Sequence, residues 1–297
     1  MIRKKNVQIS HCNVRIENMR EKYNQLKRIL TEYGKVAVAY SSGVDSTFLL
    51  KVARDTLGRD NVLAVTVNSD FLTSGELAQT KTFVDDNEIN HIVINVSPLS
   101  IKEIVDNPPD RCYFCKKEIF SQIIRHSREY FYGCDIKVLE GSNIDDLSDY
   151  RPGMKAIAEL SNVVRSPLKE AGLTKAEIRE LSKELELSTW DKPSAACLAS
   201  RIAYGDTITV EKLRLVEEAE KIVKGAGYLQ SRVRIHGKDD KYIARIEIMQ
   251  SDIVGFISDE ATRNDIYDRI KKLGFAYVTL DLGGYRMGSM NETININ

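Results

Sequence analysis

Three groups of residues in this chain have the types and spacing of chemistry. The first is Ser41-Ser42-Gly43-Val44-Asp45-Ser46, which directly follows the apolar run of residues 36–40 and opens a helical pattern through Leu57. A strand, a small-residue turn and a helix N-terminus make an anion cradle, because backbone N–H groups and the positive end of the macrodipole converge there. Such a cradle cannot act alone. A helix terminus contributes about 0.3–1 kcal/mol per anion, whereas micromolar binding needs roughly 8 kcal/mol. A metal ion and Arg or Lys side chains must supply part of the rest. The second group is Cys112-x-x-Cys115, with Cys197 far along the chain among small residues. The third is cationic: Arg201 follows Cys197 closely, and Arg232 and Arg234 project from one face of a predicted strand. Their guanidinium forks suit a phosphate.

Each group also has a plainer reading. Any strand-to-helix turn in an α/β protein can be rich in Ser and Gly, and two arginines on one strand face can be a solvated surface. No G-x-x-x-x-G-K-[ST] and no G-x-G-x-x-G occurs, so other phosphate loops do not fit. The thiols depend on compartment. The N-terminal MIRKKNVQIS lacks the apolar core of a signal peptide and no run is long enough to span a membrane, so a soluble, cytoplasmic chain is expected. In a reducing compartment the five cysteines are metal-binding or catalytic thiols before they are disulfides. Cys112 and Cys115 open a predicted helix beside Arg111, Lys116 and Lys117, all of which lower thiol pKa. This points to a metal or redox role, and no βαβ unit precedes the pair as in thioredoxin. Cys12 is expected in a tail and Cys134 near a turn, outside any cluster. The four histidines form no metal-binding or triad pattern.

The positioning elements follow from periodicity. A helix is predicted over 16–33, strands over 36–40, 61–67, 91–96 and 136–140, and helices between them, which makes an α/β chain with a doubly wound, mostly parallel sheet. Asn68 lies at the carboxyl end of the second strand, where such sheets bind ligands. Thr174-x-x-Glu177 is a capping box. From about Asp206 the pattern changes to a small α+β unit, so the expected domains are residues 1–205 and 206–297. With 43 basic and 43 acidic residues the net charge is zero, which argues against gripping long nucleic acid through an overall field.

Residues 41–46 resemble the S-G-G-x-D-S signature of the PP-loop (N-type) ATP pyrophosphatases, with Ser42 where Gly is usual. Gly141-Ser142-Asn143-Ile144-Asp145-Asp146 resembles their G-x-N-x-D-D loop. The resemblance implies ATP on Ser41, Ser42, Gly43, Val44, Asp45 and Ser46, with Asn68, Gly141, Asn143 and Asp146 nearby. Mg²⁺ would lie on acidic groups such as Asp45 or Asp146. These stretches, with WDKPSAACLASRIAYG at 190–205 and the ending GGYRMGSMN, are similar to the LarE family over nearly the whole chain.

LarE-type proteins are sulfur transferases that make a nickel-pincer cofactor from pyridinium-3,5-dicarboxylate mononucleotide, and they form oligomers. The resemblance implies adenylation of a substrate carboxylate, with the mononucleotide phosphate on Arg201, Arg232 and Arg234. Some members carry only the cysteine matching Cys197 and give up its sulfur in one turnover. Others add two cysteines and hold a [4Fe–4S] cluster that carries an extra sulfide as [4Fe–5S], fed by a sulfide donor. Cys112, Cys115 and Cys197 match the second pattern, with Cys197 and Asp45 as the catalytic residues. A zinc site, a PP-loop tRNA thiolase and a nucleotide sensor without catalysis remain open alternatives; zinc would not deliver sulfur.

Overall fold

The computed structural model describes residues 2–148, 152–193, 196–238, 241–286 and 288–293, apart from the side chains of residues 2–14, 74, 147, 148 and 293. Of the stretches behind the family resemblance, 149–151, 194–195 and 287 lie outside the described residues, as does the Cys12 side chain. The chain forms two compact units: Met1–Asn68, Ser74–Val96 and Lys116–Ser194 make the first, and Ser69–Thr73, Ser97–Cys115 and Ala195–Asn297 the second.

The first unit holds strands β1 (Val36–Ala39), β2 (Val62–Asn68), β3 (Asn90–Asn95), β4 (Lys137–Leu139) and β5 (Val164–Arg165). All pair in parallel in the order β3-β2-β1-β4-β5. The predicted doubly wound sheet is present, with β1 to β4 within a residue or two of their expected places and the two-residue β5 added beside β4. The helices in chain order are α1 (Ile2–Tyr33), α2 (Val44–Leu57), α3 (Ser74–Asp86), α4 (Lys102–Val105), α5 (Arg111–Tyr130), α6 (Gly153–Glu159), α7 (Pro167–Glu170) and α8 (Lys175–Glu184). Alternation along β1 sorts its side chains. Val36 and Val38 join Leu26, Leu30, Phe48 and Leu49 in one core, while Ala37 joins Leu63, Phe120 and Ile123 in another. A parallel sheet buried on both faces is the result.

Helix α1 begins at Ile2 rather than at 16, which corrects the expected tail around Cys12: residues 2–15 contain no Gly or Pro to break a helix. None of the described helices is long and apolar enough to cross a membrane.

The second unit is built on α9 (Val210–Gly225), β6 (Arg232–His236), β7 (Ile243–Glu247), α10 (Ile253–Ser258), α11 (Glu260–Lys272) and β8 (Tyr277–Leu280). Strands β6 and β7 are antiparallel, and β7 and β8 parallel. Leu198, Ala199 and Ile202, placed with the first domain by sequence, pack in this second core together with Phe71 and Ile104.

Candidate functional site

In the first unit the sheet order reverses at β1. The chain runs outward through β2 and β3, then returns to place β4 on the other side. Crevices at the carboxyl ends of such strands bind ligands, and residues 41–46 and 141–146 follow β1 and β4 there. The N-cap of α2 is Gly43, and no side chain caps the helix. By contrast, Thr174 and Glu177 cap α8 reciprocally, as the capping box predicts. The α2 terminus therefore keeps its N–H groups for an anion. Ser46 folds the loop: its Oγ receives Ser41 N–H at 3.3 Å, lies 3.1 Å from Ser41 Oγ and donates to Gly43 O at 3.3 Å. Ser42 stands at φ 53°, the left-handed region where a Cβ is strained, which explains why Gly is usual at that position of the signature.

The two loops touch through Gly141. A Cβ there would lie 3.2 Å from Asp45 Cβ and 3.3 Å from Ser46 N, close enough that the neighbours would have to give by a few tenths of an ångström. Asn143 Nδ2 donates to Asp45 Oδ1 at 3.3 Å, and Asp146 Oδ2 accepts from Asn143 N–H at 3.0 Å. Lys175, the first residue of α8, is ion-paired with Asp45. Burial raises the Asp45 carboxyl, Lys175 and Asn143 oppose the rise, and neighbouring Asp146 adds to it. Two carboxylates this close supply hard oxygen ligands suited to Mg²⁺. Lys192 Nζ donates to Ser42 O at 3.0 Å. Asn68, expected at the nucleotide, is exposed at the end of β2 and donates to Asn95 Oδ1 at 2.8 Å.

The second unit brings the thiols and arginines together. Asn107, buried at φ 53°, donates from Nδ2 to Ala203 O at 2.7 Å and Asp206 O at 3.1 Å. Arg111, one turn on, donates to Ala199 O at 3.1 Å and reaches Cys112 Sγ at 3.9 Å. These bonds hold the start of α5 against the Cys197 segment. Cys112 and Cys115 are half-buried and Cys197 is exposed. Burial works against the Arg111 charge, but Cys197, Cys112 and Tyr204 facing it outweigh that and raise its pKa. The three thiols are right in kind for iron and gathered in one unit. Among the described residues, however, no three Cys, His, Asp or Glu side chains are grouped to hold a metal ion. Cys112 and Cys197 share Arg111 as a neighbour without forming a preset ligand triangle with Cys115.

A cavity of about 130 Å³ beside them is lined by Arg111, Arg232, Arg234 and Arg286, with Tyr204 and Tyr285. No carboxylate is among its described lining residues. The Arg232 guanidinium lies 5.3 Å from the centre of the Tyr285 ring. Burial, then the like charge of Arg201, push its pKa down, so an arriving anion is favoured. Arg201, expected at the same phosphate, is buried and is not among the lining residues of this cavity. Its Nε donates to Glu220 at 2.7 Å and its Nη2 at 3.0 Å, while Nη1 holds Ala196 O at 2.6 Å and Cys197 O at 3.0 Å. Arg234 is half committed as well, with Glu247 at 2.9 Å.

Arg111 and Arg286 lie within the sequence motifs, but only the fold turns them into the cavity. Lys175 and Lys192 had one signal each, a position at a capped helix start and a place in the 190–205 motif.

A family model described as NAD synthase matches residues 18–125, the segment that holds the loop. A Lactiplantibacillus plantarum protein named pyridinium-3,5-bisthiocarboxylic acid mononucleotide synthase is 38% identical over 266 residues, 89% of this chain and 92% of the relative. The chain belongs to the LarE family of PP-loop sulfur transferases. An uncharacterised Synechocystis sp. protein is 39% identical over 282 residues, 94% of this chain and 98% of its own. A component of the glutamine-hydrolysing GMP synthase of Thermoplasma acidophilum is 26% identical over 215 residues, 68% of this chain and 67% of its own. As a LarE-family chain this protein is an ATP-using enzyme, as its loop implied.

Proposed function

We propose that this enzyme uses ATP to adenylate a carboxylate of pyridinium-3,5-dicarboxylate mononucleotide and replaces AMP with sulfur, giving a thiocarboxylate for a nickel-pincer cofactor. The observation that carries the substrate class is the arginine-lined cavity next to Ala196 and Cys197, an anion site at the position of the reactive thiol. The relative's printed name fits it, since a mononucleotide bears one phosphate and its acid groups are the ones converted.

Ser41–Ser46 backbone groups would hold the ATP phosphates, with Mg²⁺ on Asp45 and Asp146. The Lys175–Asp45 pair must open for that metal, with Lys175 the counter-ion that gives way to it. Arg232, Arg234, Arg286 and Arg111 would orient the substrate phosphate and acid groups. Adenylation is needed because a carboxylate is a poor electrophile and oxide a poor leaving group, whereas AMP leaves readily. Cys112, Cys115 and Cys197 would hold a [4Fe–4S] cluster, which supplies sulfide when bound and is itself fed by an external sulfide donor. A cytoplasmic homo-oligomer without long nucleic acid or membrane partners belongs to the same proposal.

The exposure of Cys197 favours one second reading. Its sulfur attacks the acyl-adenylate, AMP departs, and Cβ–S cleavage with loss of the Cα proton leaves dehydroalanine. Anaerobic purification with iron and sulfide analysis, followed by an assay of pyrophosphate release with Mg²⁺, ATP and substrate, tests the whole. Asp45→Asn should abolish that release and retain any iron. Full release in the variant would remove Asp45 from the mechanism, and no release from the unaltered enzyme would remove the reaction.

A further inference from the structure

Lys192 takes part in none of the roles above. Its segment is strapped down by Arg179 of α8, whose Nη1 donates to Trp190 O at 2.6 Å and Nη2 to Lys192 O at 2.8 Å. Trp190 also lies under Lys183 Nζ, 4.9 Å from the ring centre. From that fixed backbone the Lys192 ammonium reaches the anion loop. It donates to Ser42 O at 3.0 Å, Ser42 Oγ at 3.3 Å and Gln79 Oε1 at 2.8 Å. Its three N–H groups thus meet three uncharged oxygens. Hydrogen bonding is complete, yet no opposite charge stands at contact distance among these partners. Burial accordingly pushes the amine down, with Glu76 opposing.

Lys175 makes the contrast clear. It stands at the same loop with the Asp45 carboxylate as its counter-ion. A half-buried ammonium held only by neutral groups on a phosphate cradle carries a charge that the arriving ligand would match. Ordering so long a side chain costs up to about 2 kcal/mol, and a purely structural link to Ser42 could be made by a shorter, neutral donor.

We propose that Lys192 is a direct ligand of the ATP polyphosphate, turning from Ser42 and Gln79 to phosphate oxygens of the departing pyrophosphate. In the step it serves, a carboxylate oxygen bonds to the α-phosphorus and the α,β-bridging P–O bond breaks. The electron pair leaves on pyrophosphate, where the ammonium meets the growing charge. This deepens the ATP-using reading and rests on it.

The test is calorimetric titration of the full chain with the magnesium complex of α,β-methylene-ATP, with magnesium pyrophosphate, and with AMP. Lys192→Gln should weaken the first two by roughly ten- to a hundredfold and leave AMP within about twofold, because AMP lacks the phosphates concerned. Lys192→Arg should recover part of the loss. Unchanged binding of the analogue in Lys192→Gln overturns the inference, and so does an equal loss for AMP, which would mean the loop had merely shifted. Failure of the unaltered chain to bind the analogue would instead overturn the ATP-using reading, and this inference with it.

Discussion

The Arg201 guanidinium grips the Glu220 carboxylate at 2.7 Å in a pair whose side chains are each only 3% exposed. Both forks are engaged, and the remaining Arg201 nitrogen holds the carbonyls of Ala196 and Cys197. Arg201, expected at the substrate phosphate, thus fixes the backbone from which the Cys197 thiol projects. Lys224 shares the same carboxylate at 3.0 Å, and Val233 N–H donates to it at 3.3 Å.

Stability should therefore fall in acid through Glu220. Burial alone would raise this carboxyl, but the Arg201 hydrogen bonds and charge, then Lys224 and Arg232, hold it at about 2. A carboxyl held below its unfolded value stabilises the fold above that value and loses the contribution as pH falls through the folded one. The window runs from 4.5 down to about 2, and the stake is on the order of 3 kcal/mol. Urea midpoints across that window should drop more for the unaltered chain than for Glu220→Gln. Parallel acid slopes would sink this account.

Ser42 sits at φ 53°, which costs an L-residue roughly 1–2 kcal/mol. Ser42→Gly should leave stability unchanged or raise it by up to about 1 kcal/mol, the gain being trimmed by the entropy of glycine in the unfolded chain. Ser42→Val, branched at Cβ, should lower it. Thermal midpoints in the reverse order would show that the loop is not strained.

The cavity arginines should separate. Arg234 is paired with Glu247, which is fully buried, so Arg234→Ala should destabilise by about 3 kcal/mol or more. Arg232 donates to Ser231 O at 2.7 Å and lies over Tyr285, and cutting these two contacts strands no carboxylate. Arg232→Ala should keep most of the stability and weaken binding of the mononucleotide roughly ten- to a hundredfold. Paired denaturation and binding measurements check this; equal binding by Arg232→Ala would remove that arginine from the substrate site.

The fate of Cys197 decides the sulfur source. If bound iron delivers sulfide, the protein mass stays constant through turnover, and Cys112→Ala or Cys115→Ala loses both iron and activity. If Cys197 gives its own sulfur, those variants still work once and the chain loses the mass of H₂S. Mass spectrometry after anaerobic turnover reads the outcome, and dehydroalanine at 197 in iron-loaded protein rules out delivery by iron.

Legibility in the sequence followed the range of the interactions. The cradle could be read because strand, turn and helix start are contiguous between residues 36 and 57, and the α8 cap because Thr174 and Glu177 are one turn apart. The pairing of Arg201 could not be read because its partner Glu220 lies on α9, and a lone arginine does not announce whether it is buried. Lys175 and Lys192 reach Asp45 and Ser42 across 130 and 150 positions. No local pattern marks those pairs. Arg111 was visible as a neighbour of the thiols, yet its place in the arginine-lined cavity depends on Asn107 folding the segment onto Ala203 and Asp206.

Gly141 carries a consequence for how this sequence can drift. Its missing side chain is what lets the loop after β4 rest against Asp45 and Ser46, where even a methyl carbon would lie 3.2 Å from Asp45 Cβ. Every codon change that alters residue 141 adds at least that carbon. Any such change obliges Asp45 or Ser46 to give by a few tenths of an ångström, so a substitution in the loop after β4 is felt directly in the loop after β1.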